Sequence, residues 1–162
     1  MVTVRASLCG LLLLTLSAGA SATCWSEAEQ RFGIEGRLLQ AIALTESNLN
    51  QYATGYNKNG SRDIGLMQIN SIHLQRLKKL GIEEKHLYDD SCLSVMVGAS
   101  VLAEMMKHFG YSWEAVGAYN AGIAADRQQL RKRYAQRVWA HYTKLNRHDT
   151  PQPGSNNPIR QG

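Results

Sequence analysis

Glu46 and Asp63 are the residues whose type and spacing best suit acid–base chemistry. Glu46 closes an apolar, helix-patterned segment, and Asp63 follows 17 residues later among the turn formers Asn57, Asn59-Gly60 and Ser61. Two carboxyl groups in unlike surroundings can hold different protonation states at one pH. Acid-driven cleavage of a glycosidic bond needs that difference. One carboxyl must give a proton to the bridging oxygen, and a second can answer the positive charge that develops on the sugar carbon.

The elements that must hold these groups follow from periodicity. Leu38, Leu39, Ile42 and Ala43 recur at helical spacing, and Glu46 continues their stripe four residues after Ile42. A carboxyl beside an apolar face is costly to ionise, so its pKa rises and it keeps a proton to donate. From Tyr52 to Ile64 the helical pattern stops, and Asn59-Gly60 predicts a small β-hairpin or ordered loop with Asp63 on its return limb. Elsewhere helices dominate. A short opening helix is expected over Glu27 to Phe32, and Ile69-Asn70-Ser71 leads into another that Gly81 stops. Asp89-Asp90-Ser91 caps a central buried helix carrying Val95, Met96, Ala99, Leu102 and Met106, with Gly110 past its end. Ser112 caps a shorter helix through Ala118. The last helix, about Asp126 to Leu145, presents Leu130, Tyr134, Val138 and Tyr142 on one side. Its basic run from Arg127 to Arg137 reads as a solvated helix face. The expected class is mainly α, with one small β-hairpin or loop region around residues 52–66.

Composition narrows the function classes. Arg5, the apolar run Leu8 to Leu16 and the ending Ala20-Ser21-Ala22 have the order of a removable export signal over residues 1–22, too short in its apolar part to stay as a membrane anchor. Export leaves Cys24 and Cys92, an even pair expected to form a disulfide in an oxidising, periplasmic compartment. The exported part carries 17 basic and 13 acidic residues, a net of +4, suited to an anionic wall polymer and too modest to argue for nucleic acid. The histidines are scattered and no Cys/His cluster occurs, so neither a metal nor a cofactor is expected. Pro151, Pro153, Gly154 and Asn156-Asn157 mark residues 147–162 as a disordered tail, leaving 23–146 as one domain.

Three blocks carry a resemblance. Glu46-Ser47, Gly65-Leu66-Met67-Gln68 and Ala118-Tyr119-Asn120-Ala121-Gly122 resemble, in order and spacing, those of the soluble lytic transglycosylase catalytic domain, over roughly Cys24 to Leu145. The resemblance implies a lysozyme-like, two-lobed fold with a cleft between the lobes. It implies cleavage of the β-1,4 bond between N-acetylmuramic acid and N-acetylglucosamine in peptidoglycan, leaving 1,6-anhydromuramic ends. By the same likeness Glu46 is the single catalytic acid/base, and Met67, Gln68, Tyr119 and Asn120 contact or line the sugar site. Tyr134 resembles a further cleft tyrosine, although Arg131-Lys132-Arg133 replace the acidic residues customary before it. Small members with a Cys pair resemble those that open the wall locally for secretion, conjugation or pilus systems, whose components are then the expected partners.

Two alternatives stand beside this expectation. The stretch Glu46 to Ser71 also resembles animal-type lysozyme, with both acids at the same separation. In that case Asp63 serves a hydrolase as nucleophile or stabiliser, whereas its plainer role is a turn residue bonded to nearby backbone. A non-catalytic peptidoglycan-binding assembly component is the alternative from another class. Trp25, Trp113 and Trp139 read as packing, and Tyr52 and Tyr56 as the better candidates to stack on a sugar.

Overall fold

The computed structural model describes residues 20–148. The expected export signal and tail lie outside them, apart from Ala20–Ala22 in the first turn of α1 and Arg147 and His148 at the end of α7. The helices are α1 (Ala20–Phe32), α2 (Gly36–Ser47), α3 (Leu74–Lys78), α4 (Glu84–Asp89), α5 (Ser91–Phe109), α6 (Trp113–Ala121) and α7 (Gln128–His148). Between α2 and α3 the strands β1 (Thr54–Tyr56), β2 (Arg62–Ile64) and β3 (Ile69–Asn70) form an antiparallel sheet in the order β1-β2-β3.

Caps fix where the long helices begin. The Asp90 side chain accepts from the Leu93 N–H at 3.0 Å to start α5, and Ser112 accepts from the Ala115 N–H at 3.2 Å to start α6. α5 buries Val95, Val97, Ala99, Val101 and Leu102 and packs against α1, α4 and α6, while α7 lies on α2 and α6. Of the described residues, only α5 forms a helix long and apolar enough to cross a membrane, and here its apolar side supplies the core. Cys24 of α1 and Cys92 in the first turn of α5 form the expected disulfide, with Cα atoms 5.1 Å apart and a sequence separation of 68. By loop-closure entropy such a bridge contributes about 4 kcal/mol.

The hairpin forms where Asn59-Gly60 predicts it, closed by Asn57 N–H donating to the Ser61 carbonyl at 2.8 Å. Asp63 is on the return strand, paired with Gly55 on one side and Asn70 on the other. The sheet is fastened to α4. Arg62 donates to both carboxylate oxygens of Glu84, at 2.8 and 2.5 Å, and Thr54 and Tyr88 share a hydroxyl hydrogen bond of 2.8 Å.

The structure corrects several expected boundaries. Ile69-Asn70 is a third strand, its backbone paired with Asp63 and Ile64. It is also the expected lead-in to a helix, since Asn70 Oδ1 accepts from the Ile72 N–H at 3.0 Å and caps a 3-10 turn over Ser71–His73 that runs into α3. α4 carries too few residues to show a helical period, and α1 begins before Glu27. α6 continues past Ala118 to Ala121. Leu130 is 42 % exposed, and Arg131 takes the inward position on α7 ahead of Tyr134, Ala135 and Val138. The basic run is therefore not wholly solvated.

Candidate active site

The end of α2 brings Glu46 to a cleft of about 430 Å³ between the hairpin and the helices. Asp63, Gln68, Asn70, Tyr119 and Asn120 also line it. The helix ends at Asn48, whose left-handed conformation (φ 52°) suits an asparagine.

The neighbour of each site residue explains its place. Ser47 Oγ donates to the Leu66 carbonyl at 2.7 Å, and Tyr119 donates to the Met67 carbonyl at 2.8 Å. The three sequence blocks are thus tied to one another through the backbone of the middle one. That backbone turns at Gly65, where φ is +72° and a Cβ would lie 2.4 Å from the Leu87 carbonyl oxygen, so only glycine fits. Gln68 also has a positive φ of 48°. Its amide donates to the carbonyls of Ala53 (3.1 Å) and Gly65 (2.9 Å), holding the turn against the start of the hairpin.

Glu46 sits in an environment that suits a proton donor. Burial raises its pKa from 4.5 to about 7, and the charge of Asp63 adds to the rise. A hydrogen bond from Tyr134 and the charge of Arg137 oppose it. Burial also drives the phenol of Tyr134 well above its usual pKa, so it stays protonated and donates to Glu46 Oε1 at 2.5 Å. Among the described residues Oε2 has no hydrogen-bond partner. No buried side-chain nitrogen or oxygen in them lacks one, so Oε2 must be reachable by solvent. One oxygen is anchored and the other is open to a ligand.

Asp63 is held differently. Asn70 donates to its Oδ1 at 2.7 Å and Asn57 to its Oδ2 at 3.0 Å, which fixes the carboxylate plane at the cleft wall. Two side-chain amides, not the local backbone, do this, so the turn-residue reading is incomplete.

Of the residues expected at the site, Glu46, Asp63, Gln68, Tyr119 and Asn120 line the cleft, and Tyr134 reaches it through Glu46. Met67 does not. Its side chain is fully buried against Gly98, where an added Cβ would meet Met67 Cε at 2.7 Å, so only its backbone serves the site. Tyr52 and Tyr56 are 69 % and 85 % exposed and stand outside the cleft lining. Trp113 and Trp139 pack edge to face with ring centroids 4.9 Å apart and are not part of the cleft lining.

Asn57, Asn70 and Arg137 escape sequence reasoning. Arg137 lies three residues after Tyr134 on the same helix, with its guanidinium 5.3 Å from the Tyr134 ring centroid. That spacing is the signal that could have found it. Tyr119 stacks on the same ring at 6.5 Å.

Comparison with known proteins adds a family and relatives. The family model described as the transglycosylase SLT domain matches residues 23–142. The chain is 59 % identical over 126 residues to the "Invasion protein IagB" of Salmonella typhimurium, covering 78 % of this chain and 79 % of that protein. It is 42 % identical over 135 residues to "Protein IpgF" of Shigella flexneri (83 % and 89 %), and 41 % identical over 145 residues to a "Peptidoglycan-binding-like protein" of Escherichia coli O157:H7 (85 % and 87 %). Among solved structures it is similar to the lytic transglycosylase Slt of Pseudomonas aeruginosa, with a TM-score of 0.62 at 22 % identity, over 84 % of this chain and 25 % of that one. That likeness establishes the lysozyme-like fold, and the chain spans about a quarter of the larger protein.

Proposed function

The chain belongs to the transglycosylase SLT domain family, as a peptidoglycan lytic transglycosylase, and from that premise we propose that it breaks the β-1,4 bond after N-acetylmuramic acid and leaves a 1,6-anhydromuramic end. The observation that carries this reading is the state of Glu46. Its pKa of about 7 keeps a large protonated fraction near neutrality, and it lines the cleft with only one carboxyl oxygen, Oε1, bonded to another described residue.

In this reading Glu46 protonates the bridging oxygen as the bond to the anomeric carbon breaks. The neighbouring N-acetyl group and the Asp63 carboxylate answer the positive charge on that carbon. Glu46, now a carboxylate, takes the proton of the same sugar's 6-hydroxyl while that oxygen bonds to the anomeric carbon. No water is consumed. The attack is intramolecular, which removes the entropic cost of recruiting a nucleophile. Gln68, Tyr119 and Asn120 orient the sugars.

A second reading, hydrolysis, draws support from Asp63, since two amides hold it as a fixed carboxylate facing the same cleft. Mass spectrometry of digested sacculi separates the two. Anhydro ends are lighter by one water, while hydrolysis in heavy-oxygen water labels the new reducing end. A digest with labelled ends and no anhydro ends would overturn transglycosylation. A Glu46→Gln variant that cuts as fast as the native protein would remove the assigned acid altogether.

We also propose that the cutting is periplasmic and local, in the service of an envelope-spanning machine. One relative's name, an invasion protein, supports this. Unlocalised wall cleavage in cells without such a machine would count against it.

A further inference from the structure

Beside the cleft, on the far side of Asn120, lies a groove of about 640 Å³ whose lining includes Asn120, Arg127, Leu130, Arg133, Tyr134 and Arg137. Asn120 and Arg127 line the cleft as well, and Tyr134 bonds to Glu46, so the groove adjoins the cleft. The α7 register, with residues 130, 133, 134 and 137 on one face, gathers the arginines there. Arg127, Arg133 and Arg137 form no ion pair among the described residues. Unneutralised guanidinium groups along a concave surface attract anions, and they grip carboxylates through paired N–H donors.

The glycan strand itself offers them little, because N-acetylglucosamine is uncharged and the lactyl carboxyl of a peptide-bearing muramoyl residue is tied up as an amide. The free carboxylates are on the peptide branch. We propose that this groove receives the carboxylate-bearing peptide branch of the muramoyl residue next to the cut, so that the enzyme prefers strands that still carry their peptides. The inference rests on the transglycosylase reading and adds a selectivity to it.

The test compares soluble peptide-bearing strands with the same strands after their carboxyl groups are converted to amides. For the native chain, amidation should lower kcat/KM by about tenfold, as expected for loss of a charge-assisted contact. Arg133→Ala should lower kcat/KM on the untreated strands by a similar factor and become nearly indifferent to amidation, with Arg133→Lys in between. Thermal melts of the variants should match the native chain, since Arg133 is exposed. A native enzyme indifferent to amidation overturns the proposal. So does an Arg133→Ala variant whose loss is equal on both substrates, which would mark the groove as a site for the sugars. If the native chain releases no anhydro ends from either substrate, the transglycosylase reading itself fails, a result distinct from the loss of a preference.

Discussion

Tyr134 donates a 2.5 Å hydrogen bond to Glu46 Oε1 across 88 residues of sequence, joining α7 to the end of α2 at the head of the cleft. The bond orients the carboxyl and favours its charged form, against the burial that favours the neutral one. Tyr134→Phe should therefore raise the Glu46 pKa further. In a pH profile of kcat/KM the alkaline limb should move to higher pH, while kcat falls because the carboxyl is less well fixed. A slower enzyme with an unmoved limb would mean that Tyr134 acts on packing alone.

Glu46→Gln removes the proposed proton donor and should reduce activity by about 10²–10⁴-fold. The same change affects stability with a definite sign. The native pKa of about 7 lies above the unfolded value near 4.5, so the native state holds the proton more tightly than the unfolded chain. The stabilisation is complete below pH 4.5 and is lost as pH rises to about 7, on the order of 3 kcal/mol in all. Glu46→Gln abolishes that dependence. Urea unfolding should show the variant gaining on the native chain between pH 5 and pH 8. Parallel stability curves would contradict a buried, protonated Glu46.

Asp63→Asn keeps the shape of the side chain and removes its charge. The rate should fall by about 10²-fold, as when a preorganised electrostatic contact to the transition state is lost. Because the Asp63 charge raises the Glu46 pKa, the alkaline limb should move down in pH, opposite to the shift in Tyr134→Phe. The surviving product also discriminates. Anhydro ends from the variant fit a stabilising carboxylate, whereas complete loss of cutting fits a covalent nucleophile.

Much of this site is legible in the sequence because local periodicity and the blocks agree. The stripe from Leu38 to Ala43 predicts a partly buried Glu46, and Asn59-Gly60 predicts the hairpin that carries Asp63. What escapes depends on tertiary contact. Asn70 reads locally as the entrance to a helix, yet strand pairing with Asp63 makes it a ligand of that carboxylate. Met67 sits in a cleft motif, but its side chain fills the space above Gly98, and only its carbonyl, bonded by Tyr119, belongs to the site. A charge run suggests a wet surface, and no spacing rule indicates that one of its members is buried.

That member is Arg131, 5 % exposed. Its Nη1 donates to the carbonyls of Gly122 (3.2 Å) and Ala124 (2.8 Å), while Nε and Nη2 reach Glu114 Oε1 at 3.2 and 3.1 Å. The guanidinium also lies 4.9 Å from the centroid of the Phe109 ring. These contacts clamp the link between α6 and α7, which separates Asn120 from Arg127. Arg131→Met keeps much of the apolar stem and deletes the fork. Glu114 is half-exposed and the link carbonyls can turn to water, so the cost should fall below that of breaking a fully buried pair, at about 2 kcal/mol. For a domain of this size that lowers Tm by about 4–8 °C. A loosened link should also raise KM more than it lowers kcat, since Glu46 and Tyr134 keep their contact. Arg131→Lys retains the charge but cannot span both carbonyls and Glu114 at once, so it should rescue little. A lysine variant that melts with the native chain would show that charge, and not the planar fork, holds the link.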